Sequence, residues 1–174
     1  MSATPPAKQI FTVGHSNHDM ATFLQILSDN FIQVVADVRS APYSKYVPQF
    51  NKREIEKAAC DAGFKYVFMG DVIGGKPTNH EFKDANGKVM YGRIALSDNF
   101  QQGITRLTKG LQEGWSIALM CAEEDPFKCH RHLLIANELE LKRNVPVWHI
   151  RSDGTRVRAR QYLHGQSAAQ LTLF

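Results

Sequence analysis

The chain carries five short apolar runs, Ile10–Val13, Ile32–Val38, Phe64–Met69, Ser116–Met120 and Val145–Ile150. Runs of this length suit buried strands better than helices. Ile32–Val38 is β-branched and almost wholly apolar, the pattern of a parallel strand covered on both faces. Between the runs, apolar residues recur at helical spacing: Met20, Phe23, Leu24 and Leu27; Ile55, Ala58, Ala59 and Ala62; Phe100, Ile104, Leu107 and Leu111. Ser16 or Asn17 is placed to cap the first helix, with Asp19 at its positive end. Asn51 with Glu54 suits the start of the second helix, and Gly63 and Gly114 suit helix ends. A fourth helical segment is expected from about Phe127 to Arg143. Strand and helix alternating in this way predict an α/β single-domain three-layer sandwich with a mostly parallel sheet and helices on both faces.

Two stretches break the pattern. Arg39–Gln49 is too rich in Pro, Ser and Tyr for helix, and a long loop directly after a strand commonly carries function. Gly70–Gly92 holds Gly74, Gly75, Pro77 and the Asn86-Gly87 pair, and is expected to be an extended loop or lid. Gly74-Gly75-Lys76 lacks the spacing of a phosphate loop and the Ser or Thr after its lysine, so no Walker-type site is expected. The domain is expected over residues 9–163, between a flexible N-terminus (1–8) and a flexible tail (164–174).

At 174 residues, 43% apolar and 22% charged, the composition is that of one globular domain and excludes a disordered chain. No apolar run approaches the roughly 18–20 residues that span a bilayer, so no membrane association is expected. Three cysteines without an export signal fit reduced thiols and a cytoplasmic location. The net charge of +4 permits polyanion binding. Arg151, Arg156, Arg158 and Arg160 form a local basic run, expected either as a solvated face or as a DNA-contacting patch.

Three strands end on polar clusters: His15-Ser16, Asp37 with Arg39 and Ser40, and Cys121 with Glu123. Ligands in open α/β sheets bind outside the carboxyl ends of the strands, so these clusters are expected to line one crevice. His15, Asp37, Cys121 and Glu123 are the candidate catalytic residues, and Ser16, Arg39, Ser40, Tyr43, His130 and Arg131 the candidate ligand contacts. A Cys121 thiol facing a helix start near His130 and Arg131 would ionise more readily than a free thiol. The acids Glu123, Glu124 and Asp125 act against that, and Arg131 follows Cys121 by ten residues, which fails the phosphatase spacing. A small buried residue is the plainer role for Cys121. Cys121 with Cys129 is an alternative redox pair, and Asp37 and Glu123 are alternative general bases or divalent-metal ligands. Seven residues separate the cysteines and Cys129 adjoins His130, so no zinc site is expected. No cofactor follows from the sequence. Arg39 and Arg131 suit a phosphate-bearing ligand.

Taken together, Thr12-Val-Gly-His-Ser16, Val35-Ala-Asp-Val-Arg-Ser40 with Pro42 and Ser44, and Leu119-Met-Cys-Ala-Glu123 with Pro126 and Cys129-His-Arg131 resemble the family called domain of unknown function 488. The match continues to His149-Ile150 and Asp153-Gly154. The resemblance implies a single α/β domain whose hallmark residues are those on the strand ends; it implies no particular reaction.

The last five residues, Gln170-Leu-Thr-Leu-Phe174, resemble the bacterial sliding-clamp binding peptide. A chance match of its four fixed positions is on the order of one in 10⁴ to 10⁵. Gln170, Leu171, Leu173 and Phe174 are the expected partner contacts, with the bacterial DNA sliding clamp as the partner. The leading expectation is an enzyme acting on a nucleotide or nucleic acid. The alternatives are a non-catalytic DNA-associated adaptor and a thiol redox or sulfur-transfer protein.

Overall fold

A computed structural model describes residues 9–163. The expected tail and its clamp-like peptide lie outside the described residues. Six strands form one sheet in the order β3-β2-β4-β1-β5-β6. They are β1 (Ile10–Gly14), β2 (Val34–Asp37), β3 (Lys65–Phe68), β4 (Ile117–Cys121), β5 (Val147–Ile150) and β6 (Arg156–Arg158). The first five run parallel; β6 is antiparallel to β5. Chain order and sheet order differ because α1 (Met20–Asp29) and α2 (Lys52–Asp61) carry the chain outward to β3, after which it returns to lay β4 between β2 and β1. The carboxyl ends of β2, β4 and β1 therefore sit side by side at the middle of the sheet.

Strand pleating sends alternate side chains to opposite faces. Phe11, Val13, Val35, Ala118 and Met120 pack with Phe23, Leu27, Phe50 and Ile55 under α1 and α2. Ile10, Val34, Ala36, Leu119 and Cys121 pack on the other face with Ile73, Ile94, Phe100, Ile104, Leu134 and Leu139. That second layer comes from α3 (Gly70–Ile73), α4 (Tyr91–Ala95), α5 (Asp98–Gln112) and two π-helical stretches, Arg131–Ala136 and Glu138–Lys142. Central parallel strands covered on both faces account for the unbroken apolar runs.

Several local expectations are corrected. Asp19, not Ser16 or Asn17, caps α1, its carboxylate accepting from the Thr22 backbone N–H at 2.8 Å. The Asn51 side chain does not cap α2; its Oδ1 accepts from the Ser44 N–H at 2.7 Å and ties down the Arg39–Gln49 loop. The Gly70–Gly92 stretch is not a plain lid, since α3 and the start of α4 lie in it. The segment after Phe127 is a 3₁₀ turn (Pro126–Lys128) followed by π-helix rather than one α-helix. The basic run contains β6, a three-residue edge strand reached through the Asp153-Gly154 turn. Its arginines are turned to internal partners: Arg151 grips Glu124, Arg158 grips the buried Glu140, and Arg156 donates to Asn30. Arg160 is exposed.

Candidate functional site at the strand ends

The strand-end residues assemble as two halves, one on each face of the sheet, because their positions alternate along the strands. On the α1/α2 face, Asp37 is fully buried at the end of β2. It accepts from Arg39 Nε at 2.9 Å, from an Arg39 terminal nitrogen at 2.7 Å, and from the Tyr66 hydroxyl at 2.7 Å. The same guanidinium reaches His15 Nε2 at 3.1 Å, and the His15 ring stacks on Phe50 at 4.3 Å. Burial, then the nearby Arg39 charge, opposes protonation of His15, whose pKa falls to about 4 although its bond to the Ser16 carbonyl works the other way. His15 is thus a neutral imidazole at pH 7. The Tyr66 phenol is raised by burial and by its bond to Asp37.

On the opposite face, Cys121 ends β4 beside Cys129 and His130. His130 Nε2 lies 3.0 Å from the Val38 carbonyl, an acceptor, so this nitrogen carries the proton. Nδ1 is left as an acceptor, 3.6 Å from Cys129 Sγ and 4.0 Å from Cys121 Sγ. The Cys121 pKa falls to about 7: the Cys129 thiol donates to its sulfur, and Arg131 with the backbone N–H groups of Ala122 and Glu123 adds to this against burial. The Cys129 thiol is correspondingly pushed up to about 12, chiefly by Cys121. The two thiols titrate as a coupled pair, in which the Cys129 S–H favours the ionised form of Cys121.

Arg131 is the positive charge beside this pair and adds to the effect of the Cys129 hydrogen bond. It is fully buried, yet it forms no ion pair with a carboxylate among the described residues. Its nitrogens donate instead to the Glu123 carbonyl, to Thr12 Oγ1 at 3.3 Å and to Cys129 Sγ at 3.4 Å. Thr12 Oγ1 is also bonded to His149 Nδ1 at 2.7 Å, and His149 Nε2 to His132 Nδ1 at 2.9 Å, so a buried polar chain holds the guanidinium in place. Gly14 makes this arrangement possible. A Cβ there would lie 1.9 Å from the Glu123 carbonyl oxygen, the same atom that Arg131 binds.

The two halves meet at a cleft of about 280 Å³ lined by Arg39, Ser40, Gly75, Lys76, Tyr91, Cys121, Glu123, Lys128, Cys129 and His130. Gly75 lets the chain pass against the His130 ring, which a Cβ would strike at 2.4 Å. Of the sequence-predicted residues, Cys121, Glu123, Arg39, Ser40 and His130 line this cleft. His15 and Asp37 do not; they stand behind Arg39. Arg131 lies beneath the floor. Ser16 turns the chain out of β1 in a left-handed conformation (φ 49°), and the exposed Tyr43 lies three residues beyond Ser40. Cys121, Cys129 and His130 are the one group of potential metal donors among the described residues, with donor atoms within 4.8 Å of one another, so the adjacency of Cys129 and His130 does not keep them apart. Lys76, Lys128 and Tyr91 carried no strand-end signal; Lys76 and Tyr91 fall in the stretch read as a lid.

The mostly parallel α/β sheet thus brings a thiol, an imidazole and a buried arginine together at its central strand ends. A family model, "Domain of unknown function DUF488", matches residues 19–137, and the chain belongs to that family. No curated protein and no solved structure matches the chain. Among the described residues no helix is long and apolar enough to cross a membrane.

Proposed function

We propose that this protein is a thiol-dependent hydrolase whose nucleophile is Cys121 and whose substrate carries a phosphate group. The observation that carries the reading is the buried Arg131, which has no carboxylate partner among the described residues. A buried guanidinium is costly unless a negative charge lies close by, and the neighbouring group able to supply one is the Cys121–Cys129 pair in its singly ionised form. Support for an anionic substrate comes from Lys76 and Lys128 at the cleft, neither of which is engaged in an ion pair among the described residues. Arg39 is less suited to that task because Asp37 and His15 already hold it.

In this reading the Cys121 electron pair forms a bond to an electrophilic centre of the substrate, and the bond to the leaving group breaks. The leaving group takes the Tyr91 hydroxyl proton. That phenol is kept protonated by burial and by the charges of Cys129, Glu123 and Cys121. Water then cleaves the thiol adduct, restoring the thiolate and returning a proton to Tyr91. Cys129 holds the thiolate by its S–H, His130 is fixed by Val38, and Asp37 positions Arg39.

The test is a competition within one molecule. Cys60 is an exposed free thiol and Cys121 is 6% exposed. Brief treatment with iodoacetamide at pH 7, followed by peptide mapping, is expected to label Cys121 before Cys60. Preferential labelling of Cys60, with Cys121 untouched until the protein unfolds, overturns the proposal. The Gln170–Phe174 peptide supports recruitment of the enzyme to the bacterial sliding clamp, and so to DNA.

A further inference from the structure

The loop that follows β2 begins beside the cleft and carries two exposed tyrosines. Tyr43 is 76% exposed and Tyr46 is 82% exposed. Large aromatic side chains usually bury most of their surface, and among the described residues these two stay largely uncovered. The loop beneath them is nevertheless tightly held. Ser44 N–H donates to Asn51 Oδ1 at 2.7 Å, Tyr46 N–H donates to Ser44 Oγ at 3.1 Å, and Lys52 N–H donates to the Pro42 carbonyl at 2.9 Å. Gln49 donates to the His18 carbonyl at 3.1 Å, and Phe50 is buried against His15 and Phe23. The tyrosines are thus presented on a preorganised loop.

Their surroundings are cationic. Lys45 stands between them in sequence, its ammonium 4.9 Å from the Tyr46 ring centre. Lys52 and Arg53 are exposed at the start of α2, where the loop closes. Lys76 is bound to the cleft end of the same loop, its N–H donating to Ser40 Oγ at 2.9 Å. A band contiguous in the chain, Ser40 to Tyr46, therefore leads out from the cleft, where Ser40 meets Lys76 and Cys121. Among the described residues Lys45, Lys52, Arg53 and Lys76 take part in no ion pair.

From this band we infer that the substrate is single-stranded nucleic acid, its bases stacked on Tyr43 and Tyr46 and its backbone led along the lysines to the thiol. The inference deepens, and rests on, the reading of the Cys121 cleft as a site for a phosphate-bearing substrate. Exposed aromatic rings interleaved with cations bind single strands because every base has a face to stack and every linkage a charge to neutralise. A protein partner fits less well: interface anchors sit in apolar, desolvated surroundings, whereas the polar Ser44 and Lys45 stand between these rings. A paired, stacked duplex offers the rings no free base face.

The experiment is fluorescence anisotropy of a labelled oligo(dT) of about twelve nucleotides with the full chain at about 50 mM and 200 mM salt. Binding that weakens at the higher salt is expected, with a duplex bound more weakly. Tyr43→Ala and Tyr46→Ala each change an exposed side chain, so the fold is kept, and each is expected to weaken the single-strand complex roughly tenfold. Lys45→Gln should lower the salt dependence. No single-strand binding at low salt overturns the inference, and so does binding unchanged by both tyrosine substitutions or equal affinity for the duplex. Cys121→Ser separates this from the catalytic proposal. The variant should bind the oligonucleotide like the parent. Tyrosine-dependent binding by a protein whose Cys121 proves unreactive would sustain the platform and sink the thiol mechanism; a reactive Cys121 without oligonucleotide binding would do the reverse.

Discussion

The Arg131 guanidinium donates to the main-chain carbonyl of Glu123, and no carboxylate among the described residues neutralises it. A buried arginine ordinarily meets an acid; here it meets a carbonyl, a hydroxyl and a sulfur. The free charge is thereby available to the thiol pair next to it, and the loop that forms one wall of the cleft is pinned by the same group.

Arg131→Met should therefore be selective. An apolar chain of similar length removes the charge and keeps most of the packing. Loss of a neighbouring opposite charge moves an ionisable group by about one pKa unit or more. Iodoacetamide labelling of Cys121 at pH 7 is expected to slow roughly fivefold on that basis, with far-UV circular dichroism unchanged. Equal labelling rates in the folded variant and the parent would contradict the role given to Arg131.

Gly14→Ala tests the wall. The new methyl would have to displace the Glu123 carbonyl, which it approaches at 1.9 Å. Overpacking of this kind costs about 1–3 kcal/mol, to be read as a lower urea midpoint. A midpoint matching the parent would show that the loop yields freely.

Asp37→Asn tests the other half of the site. Asp37 is fully buried and neutralises Arg39, itself 7% exposed, through two hydrogen bonds. Removing one partner of a buried pair costs about 3–5 kcal/mol because the other charge is stranded. A loss under about 1 kcal/mol in denaturant unfolding would mean that Arg39 finds another partner.

The buried histidines set an acid limit. Burial lowers His15 to about 4 and, with the neighbouring cations, His149 to about 2, from an ordinary value of 6.5. Below pH 6.5 the unfolded chain takes up protons that the folded chain refuses, so stability falls as pH falls. The fall continues to about pH 4 for His15 and to about pH 2 for His149. Each contributes a slope of up to about 1.4 kcal/mol per pH unit. Urea unfolding at a series of pH values from 7 to 4 should show the decline, and His149→Phe, which cannot titrate, should flatten part of it. A flat profile in the parent would contradict the neutral, buried assignment.

The clamp peptide makes a separate prediction. The intact protein should bind a bacterial sliding clamp in surface plasmon resonance, and a version ending at Ala169 should not. Equal binding by the two, or binding by neither, removes the recruitment reading.

The architecture was largely legible because central parallel strands must be apolar on both faces, so Val34–Asp37 and Ile117–Cys121 stand out as unbroken runs. The strand-end cluster was legible as a set of residues but not as a geometry. Alternation along the strands sends His15 and Asp37 to one face and Cys121 to the other, and the meeting of the halves at Arg39 depends on the sheet order, which spacing alone does not reveal. The acids beside Cys121 read as opposing a thiolate, yet the Glu123 side chain is exposed, Glu124 is taken by Arg151, and the buried group near the sulfur is Arg131. Tyr91 was hidden because a helix as short as Tyr91–Ala95 carries too little periodicity to separate from loop, and Lys76 because it lies in the irregular stretch after α3. β6 was missed because its three residues lie at an edge and two of them are arginines.

If Cys121 is a thiolate near neutral pH, the pH profile of its alkylation reports it without an intermediary. With Cys121 labelling followed by mass spectrometry from pH 5 to pH 10, the rate should rise with a midpoint near 7, to which the Cys129 hydrogen bond and Arg131 lower it. Cys129→Ser, which replaces the thiol donor by a hydroxyl, should shift the midpoint without abolishing labelling. A Cys121 midpoint at or above the free-thiol value of about 8.5 would contradict the account.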